Sequence, residues 1–545
     1  MPIRWAVATG NWSNTATWNS GATLGIPTGS DDAFAGGFTV TLDQDINVIS
    51  LNTIASGSAP AGGSFSVTGS RNIVTSTMRA GSANCLNITG TSTLVNITGS
   101  ISGSDTTNNI YTLNITSTSS SINVSGSIAG GPRPGSNVIN LLGISNTVNV
   151  NGSVRAGAGL ASNAYGILAG GTFNTVNITG SISGGSAGNN TWAVVISGIG
   201  TSLNVSGSVN GGTGGNSSGI VLDGTATGVT NIRVIGDISG SVGGVGLTLN
   251  RGSSSPYIAS IVGTIAAFNF AGIVTSGGTL SVLNITGSVI ASSIISQPGI
   301  EMSTTANLTL NISGSVVGSA QSGINTTGNF NTINVNGTVT AGFNTSGISS
   351  TANSTIIVSG SAIAATAGSV GSSPAISNTG TGQVIVGTAV ASTINPAINN
   401  TGATPVIYEA MTIATNGRLP IVGAALLRQG NNNFISCSLD TTGYKTLINV
   451  NNISNGLPAA SDVRRGTSYN FGDTTGSMAV PSASYVDSGV AVGNTSGTGV
   501  YTTASLLSTV WNTNVSALTA SNSVGERLRN ISTVSSTGDQ LVALL

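Results

Sequence analysis

The chain has 545 residues, of which 79 are glycine, and its 14 basic and 15 acidic residues leave a net charge of -1. With a single lysine, Lys445, and no histidine, it lacks the clustered cations that neutralise phosphates, the Ser/His/Asp and Cys/His triads, and the commonest metal ligand. Nucleic-acid binding and a bound cofactor are therefore not expected. Mean hydropathy is positive, but apolar residues alternate with polar ones and never run for the roughly 18 positions that would span a bilayer, so membrane insertion is not expected either. Cys85 and Cys437 lie far apart and read as unpaired small hydrophobes.

Residues 1–80 differ from the rest of the chain. They hold Trp5, Trp12 and Trp18 and a strand-like Phe38-Thr39-Val40-Thr41-Leu42. The start has no charged segment followed by an apolar stretch, so a secretory signal is not expected. The open end of a repeat protein exposes core and unpaired strand edge, and this segment is read as the N-terminal cap. Asp31, Asp32, Asp43 and Asp45 fit turn positions better than a calcium loop, because no EF-hand or nonapeptide spacing is present.

Residues 81–404 are built on one phrase. Val148-Asn149-Val150-Asn151-Gly152-Ser153-Val154 recurs with little change from Val95, Ile122, Val176, Leu203, Leu283, Leu310 and Ile333, and weaker copies follow Ile356 and Val384. From Gly99 to Gly387 its glycine returns every 23 to 29 residues. Aliphatic residues at every second place point to one side of a strand, while Asn, Thr and Ser point to the other. A second apolar column runs through Ile167, Val194, Ile220, Leu247, Ile273, Ile300 and Ile324, with Gly-rich turns between. The pattern predicts an all-β parallel β-helix of about 26 residues per coil, on the order of 60 Å long at about 4.8 Å per coil.

Tyr165 and Trp192 occupy equivalent places on successive coils, so their rings should stack. Exposed, they form a platform for a sugar ring; their place two residues before an apolar position favours burial. Asn87, Asn96, Asn114, Asn123, Asn177 and Asn204 fit the glycosylation sequon, but the repeat itself generates the match. Outward asparagines at one place in successive coils are read as an amide ladder.

Of the solenoid acids, Glu301 lies three coils beyond Asp223, too far along the axis for a glycosidase pair. Asp223 and Asp237 share one coil; their separation across it does not follow from sequence, and they read as a turn residue and a solvated replacement for the usual serine. Gly184-Gly185-Ser186-Ala187-Gly188 matches a nucleophile-elbow pattern with no histidine to serve it. The chain reads as a non-enzyme.

Residues 405–545 carry 14 of the 29 charges. Strand-like runs such as Ser468-Tyr469-Asn470-Phe471 give way to a helical period in which Leu506, Leu507, Val510 and Trp511 share a face. Capping-box matches at Ser523 and Ser536 open short helices holding Leu528 and Leu541. A C-terminal mixed domain of strands and short helices is expected, with Leu506, Val510, Trp511, Leu528 and Leu541 as candidate assembly residues.

Two segments carry a resemblance. Gly10-Asn11-Trp12-Ser13, Ala16-Thr17-Trp18, Ile26-Pro27-Thr28 and Thr39-Val40-Thr41-Leu42-Asp43 resemble the opening cap of β-helical surface and virion proteins. Ser461 to Gly466, Thr475 to Pro481 and Val524 to Asn530 look like segments of tailed-bacteriophage fibre and appendage proteins. The resemblance implies a virion structural protein on the particle surface, a homotrimer that contacts other virion proteins and a host-surface glycan. A capsid fibre or decoration protein, a secreted β-helix adhesin and a polysaccharide depolymerase are the alternatives.

Overall fold

A computed structural model describes residues 2–412 except 20–24, 55–62, 82–83, 104–110, 133–136, 159–163, 187–188, 225–227, 252–255, 277–280, 293–296, 304–306, 343–344, 365–372 and 391–396. Beyond 412 it describes only strands at 421–423, 425–429, 433–439, 446–449, 468–469, 474–475, 491–492 and 495–496. Two compact units divide the chain, residues 1–452 and 453–545.

The first unit is a parallel β-solenoid of about 27 residues per turn. A coil consists of three strands, for example Thr175–Ile178, Ile182–Ser183 and Val194–Ile196. Each pairs in parallel with its counterpart one coil on: Val176 opposite Leu203, Ile182 opposite Val209, Val194 opposite Ile220. The first two strands fuse into one at Asn72–Arg79, Thr355–Ile363 and Val384–Val390.

Alternation in the phrase sets the inside and the outside. Val176 and Ile178 are buried, whereas Thr175 and Asn177 between them are half-buried and face out. Each buried aliphatic side chain removed from water stabilises the coil by about 1.5–3 kcal/mol. The phrase glycine marks the bend between the first two strands, where backbone of the preceding coil lies close. A Cβ on Gly152 would lie 2.5 Å from the carbonyl oxygen of Gly126 in the preceding coil, so no larger residue fits without moving backbone.

A second corner, before the first strand, solves a hydrogen-bonding problem. There the chain turns through a left-handed residue, Ser92, Ser119, Ser145 or Phe173 in successive coils, with φ between 52 and 56°. The N–H of the next residue along is met by a side chain from the next coil. Thr93 N–H donates to Ser120 Oγ at 3.1 Å, Ser120 N–H to Asn146 Oδ1 at 2.9 Å, and Asn146 N–H to Asn174 Oδ1 at 2.8 Å. Asn146 and Asn174 are wholly buried, which hydrogen bonding alone makes affordable.

The coils reach further than the 81–404 window read from the phrase. Asp32–Phe34 pairs in parallel with Ile46–Asn52, and Ile46–Asn52 with Asn72–Arg79, so much of the expected cap is solenoid. Ile3–Ala6 continues the parallel register against Asp32–Phe34 and pairs antiparallel with Trp18–Asn19 on its other side, and the tryptophans lie at this end. Trp12 and Trp18 meet edge to face at 4.7 Å with Phe65 beneath, and Trp18 Nε1 donates to the Trp12 carbonyl at 3.0 Å. At the other end the parallel register continues through Val406–Thr412 to Ala425–Gln429. It then switches: Ala425–Gln429, Asn433–Leu439 and Thr446–Asn449 form an antiparallel meander, so the edge of the solenoid ends in hairpin pairing.

In the second unit Ser468–Tyr469 pairs antiparallel with Thr474–Thr475, and Ala491–Val492 with Thr495–Ser496. The helices expected around Leu506, Val510, Trp511, Leu528 and Leu541 lie outside the described residues.

Candidate functional site

Tyr165 and Trp192 stand just before the third strands of successive coils, Ile167–Ala169 and Val194–Ile196. The register that sets Ile167 opposite Val194 brings their rings to 5.5 Å with planes 16° apart, the expected stack. Both side chains are half-buried rather than buried, because they sit at the corner and not on the inward face of a strand. Trp192 Nε1 donates to the carbonyl of Asn216 one coil on, at 2.8 Å, which fixes the indole. Tyr165 is held from the other side: its N–H donates to Asn137 Oδ1 at 2.6 Å, as Tyr111 N–H does to Asn84 Oδ1 at 2.8 Å. Burial, and then the nearby Tyr111, push the Tyr165 hydroxyl above its usual range, so it stays protonated and neutral. The pair is an uncharged aromatic stack with one polar tip.

The outer face of the first strand stack presents amides. Asn123 donates to Asn96, Asn149 to Asn123, Asn177 to Asn149 and Asn204 to Asn177, at 2.7 to 2.9 Å, so the sequon residues form the expected ladder. A second run joins Asn284, Asn311 and Asn334, each link 2.8 Å. It floors an open cleft of roughly 270 Å³ that Ile285, Thr286, Ile312, Ser313 and Asn336 complete, a lining without charge. On another strand stack Asn114 donates to Asn87 and Asn140 to Asn114.

The acids do not converge. Asp31 is buried, accepts from Thr28 N–H and Oγ1, and lies 3.5 Å from Arg4. Asp32 accepts from Ser50 Oγ at 2.6 Å, and Asp45 from Asn72 N–H at 2.8 Å. For Asp43, partial burial raises the pKa, but the Ser13 hydroxyl and N–H, its own backbone N–H and Arg71 outweigh that and hold it below the usual carboxylate range. Among the described residues no three acids or cysteines gather as a metal site. Asp223 lies on Ile220–Gly224, while Asp237 stands beside Ile238–Val242 in the other sheet; both are exposed and they face different sides of their coil. Glu301 stands alone on its strand, between Val274 and Asn325. Ser186 is exposed in the return turn, with its N–H on the Gly157 carbonyl. Burial raises the Cys85 thiol far above its usual range and leaves it unreactive.

Sequence reasoning missed two residues. Phe173 and Phe330 take φ of 55 and 61° and are 61% and 62% exposed, an unusual conformation and an unusual exposure for phenylalanine. The shared words Phe173-Asn174-Thr175-Val176-Asn177 and Phe330-Asn331-Thr332-Ile333-Asn334 mark them as the same corner six coils apart. The Phe173 ring lies over Gly200, where a Cβ would stand 2.5 Å from its Cδ1. With Leu142 and Ile144 on the coil before, it forms an exposed apolar ridge.

Among the described residues no helix is long and apolar enough to cross a membrane. Comparison with protein-family models, with curated proteins and with solved structures finds no match, so no relative identifies this chain.

Proposed function

We propose that this chain is a non-enzymatic structural protein on the surface of a bacteriophage particle, a tail-fibre- or tailspike-like homotrimer that adheres to a neutral host-surface glycan. The stacked Tyr165–Trp192 pair carries the adhesion reading: two half-buried rings 5.5 Å apart, the indole fixed by its hydrogen bond, on a solenoid whose outer columns are amides and hydroxyls. Neutral sugars offer hydroxyls to such columns and CH faces to such rings. The virion setting rests on the resemblance of the segments around Trp12 and Val524.

Purified full-length chain is titrated against bacterial surface polysaccharide, with reducing-end release followed in parallel. The expectation is saturable binding that Trp192→Ala weakens about tenfold, the equivalent of roughly 1.4 kcal/mol, with no release of reducing ends. Cleavage abolished by Asp223→Asn or Asp237→Asn would establish a depolymerase instead. A capsid fibre or decoration protein is distinguished by immunogold position on the particle, and a secreted adhesin by its presence in culture without particles. Light scattering near three times 53.3 kDa is expected of the trimer.

A further inference from the structure

The outer face of the first strand stack changes character over two consecutive coils. Along the amide column Asn204 is followed by Arg233 and Ser260 before Asn284 restores the series, so the ladder is cut at this point. The neighbouring outward column, small and polar at Ser206 and again at Thr286, is Ile235 and Val262 between them. Ile258, Val242 and Phe268 stand out on the same two coils. All five apolar side chains are 37 to 51% exposed. The backbone changes with them. The phrase glycine takes φ near +150° at Gly236, Gly263 and Gly287. The ladder break, the apolar replacement and the altered bend coincide in space, although each is a separate property of the chain.

An exposed aliphatic group of this kind on a sheet face marks a contact surface rather than a solvated one. Its charges say what it contacts. Between residues 156 and 250 the only charged residues are Asp223, Arg233 and Asp237, and the last two lie four residues apart at the patch. Both are exposed, and among the described residues no ion pair joins them to each other or to anything else. A patch that offers one positive and one negative group beside apolar surface is complementary to itself. A basic or an acidic partner would select a single sign.

We infer that the face bearing Ile235, Ile258 and Val262 is where copies of this chain meet side by side, with Arg233 of one copy paired with Asp237 of the next. A three-fold axis along the solenoid uses every such pair once and closes, as a head-to-tail ring requires. This rests on the homotrimer in the proposed function and assigns its interface.

The test is the mass of full-length protein by light scattering, with far-UV circular dichroism to check folding. Wild type is expected at three times 53.3 kDa and Val262→Asp at one third of that mass. Thr98→Asp, in the same outward column outside the patch, should stay trimeric. Arg233→Asp and Asp237→Arg should each weaken association at least tenfold, and the double exchange should recover it; this set decides the matter if Val262→Asp does not fold. A trimer indifferent to Val262→Asp and to both charge changes overturns the interface and leaves the trimer. A dimer that Val262→Asp dissociates overturns the trimer and keeps the interface. A wild-type monomer at all concentrations overturns both.

Discussion

Asn146 and Asn174, one coil apart and both fully buried, are joined twice: the Asn146 N–H reaches Asn174 Oδ1 at 2.8 Å and its Nδ2 reaches the same oxygen at 3.3 Å. Asn146 Oδ1 also accepts from Ser117 Oγ and from Ser120 N–H, both at 2.9 Å. Replacing Asn146 by Ala orphans these groups where water does not reach. The expected loss is about 3 kcal/mol. Asn149→Ala, in the half-exposed outer ladder, breaks two links whose partners turn to water, and should cost about 1 kcal/mol. Urea denaturation of the two variants checks the order; equal losses would show that the inner column is no more than packing.

Gly200 and Phe173 should be coupled. Gly200→Ala places a methyl against the Phe173 ring at a φ of +63°, so it meets both a clash and an unfavourable conformation. A loss of about 2–3 kcal/mol is expected. Adding Phe173→Ala should return the steric part, about half, and leave the conformational part. A double-mutant cycle in thermal unfolding reads the coupling, and strict additivity would refute it.

The Asp43 carboxyl sets a pH dependence. Its folded pKa lies below the ordinary value, so the stabilisation is fully present above the usual carboxylate range and is lost as pH falls through the folded pKa. Ser13→Ala removes the hydroxyl donor. Its melting temperature should fall below that of wild type at pH 7 and converge with it toward pH 2. The gap should be small, because the carboxyl is largely solvated.

Cys85 should resist alkylation at pH 8 in the folded protein and react once urea opens the solenoid. Its thiol is fully buried and its pKa is pushed upward, so thiolate is not formed at that pH. Peptide mapping after iodoacetamide treatment checks this residue specifically. Rapid native labelling would mean that the coil around Leu86–Ile88 opens readily.

The solenoid was legible because its period is written in side chains: Val176 and Ile178 inward, Asn177 outward, Gly180 at the bend. The Tyr165–Trp192 stack came from the same period. The extent of the coils was not legible, because Asp32–Phe34 carries no copy of the phrase and Ile46–Asn52 carries only its opening, Ile46-Asn47-Val48, without the glycine that marks the bend. Burial of Asp31 beside Arg4 was also missed, since a carboxylate in a turn reads as solvated until its donors, Thr28 N–H and Oγ1, are located. The exposed Phe173 and Phe330 went unread for the opposite reason. Phenylalanine reads as core, and only its left-handed backbone shows that it points away.

Along the first strand stack from Val95 to Val335 the register is residue for residue, Asn149 opposite Asn177 and Asn177 opposite Asn204, although the lengths of chain between them differ. Loss or duplication of one coil in the gene therefore joins surfaces that already match. Reach can then drift by single steps of about 4.8 Å, and such a molecule keeps its length by counting repeats, as a ruler does, with no residue that encodes the total.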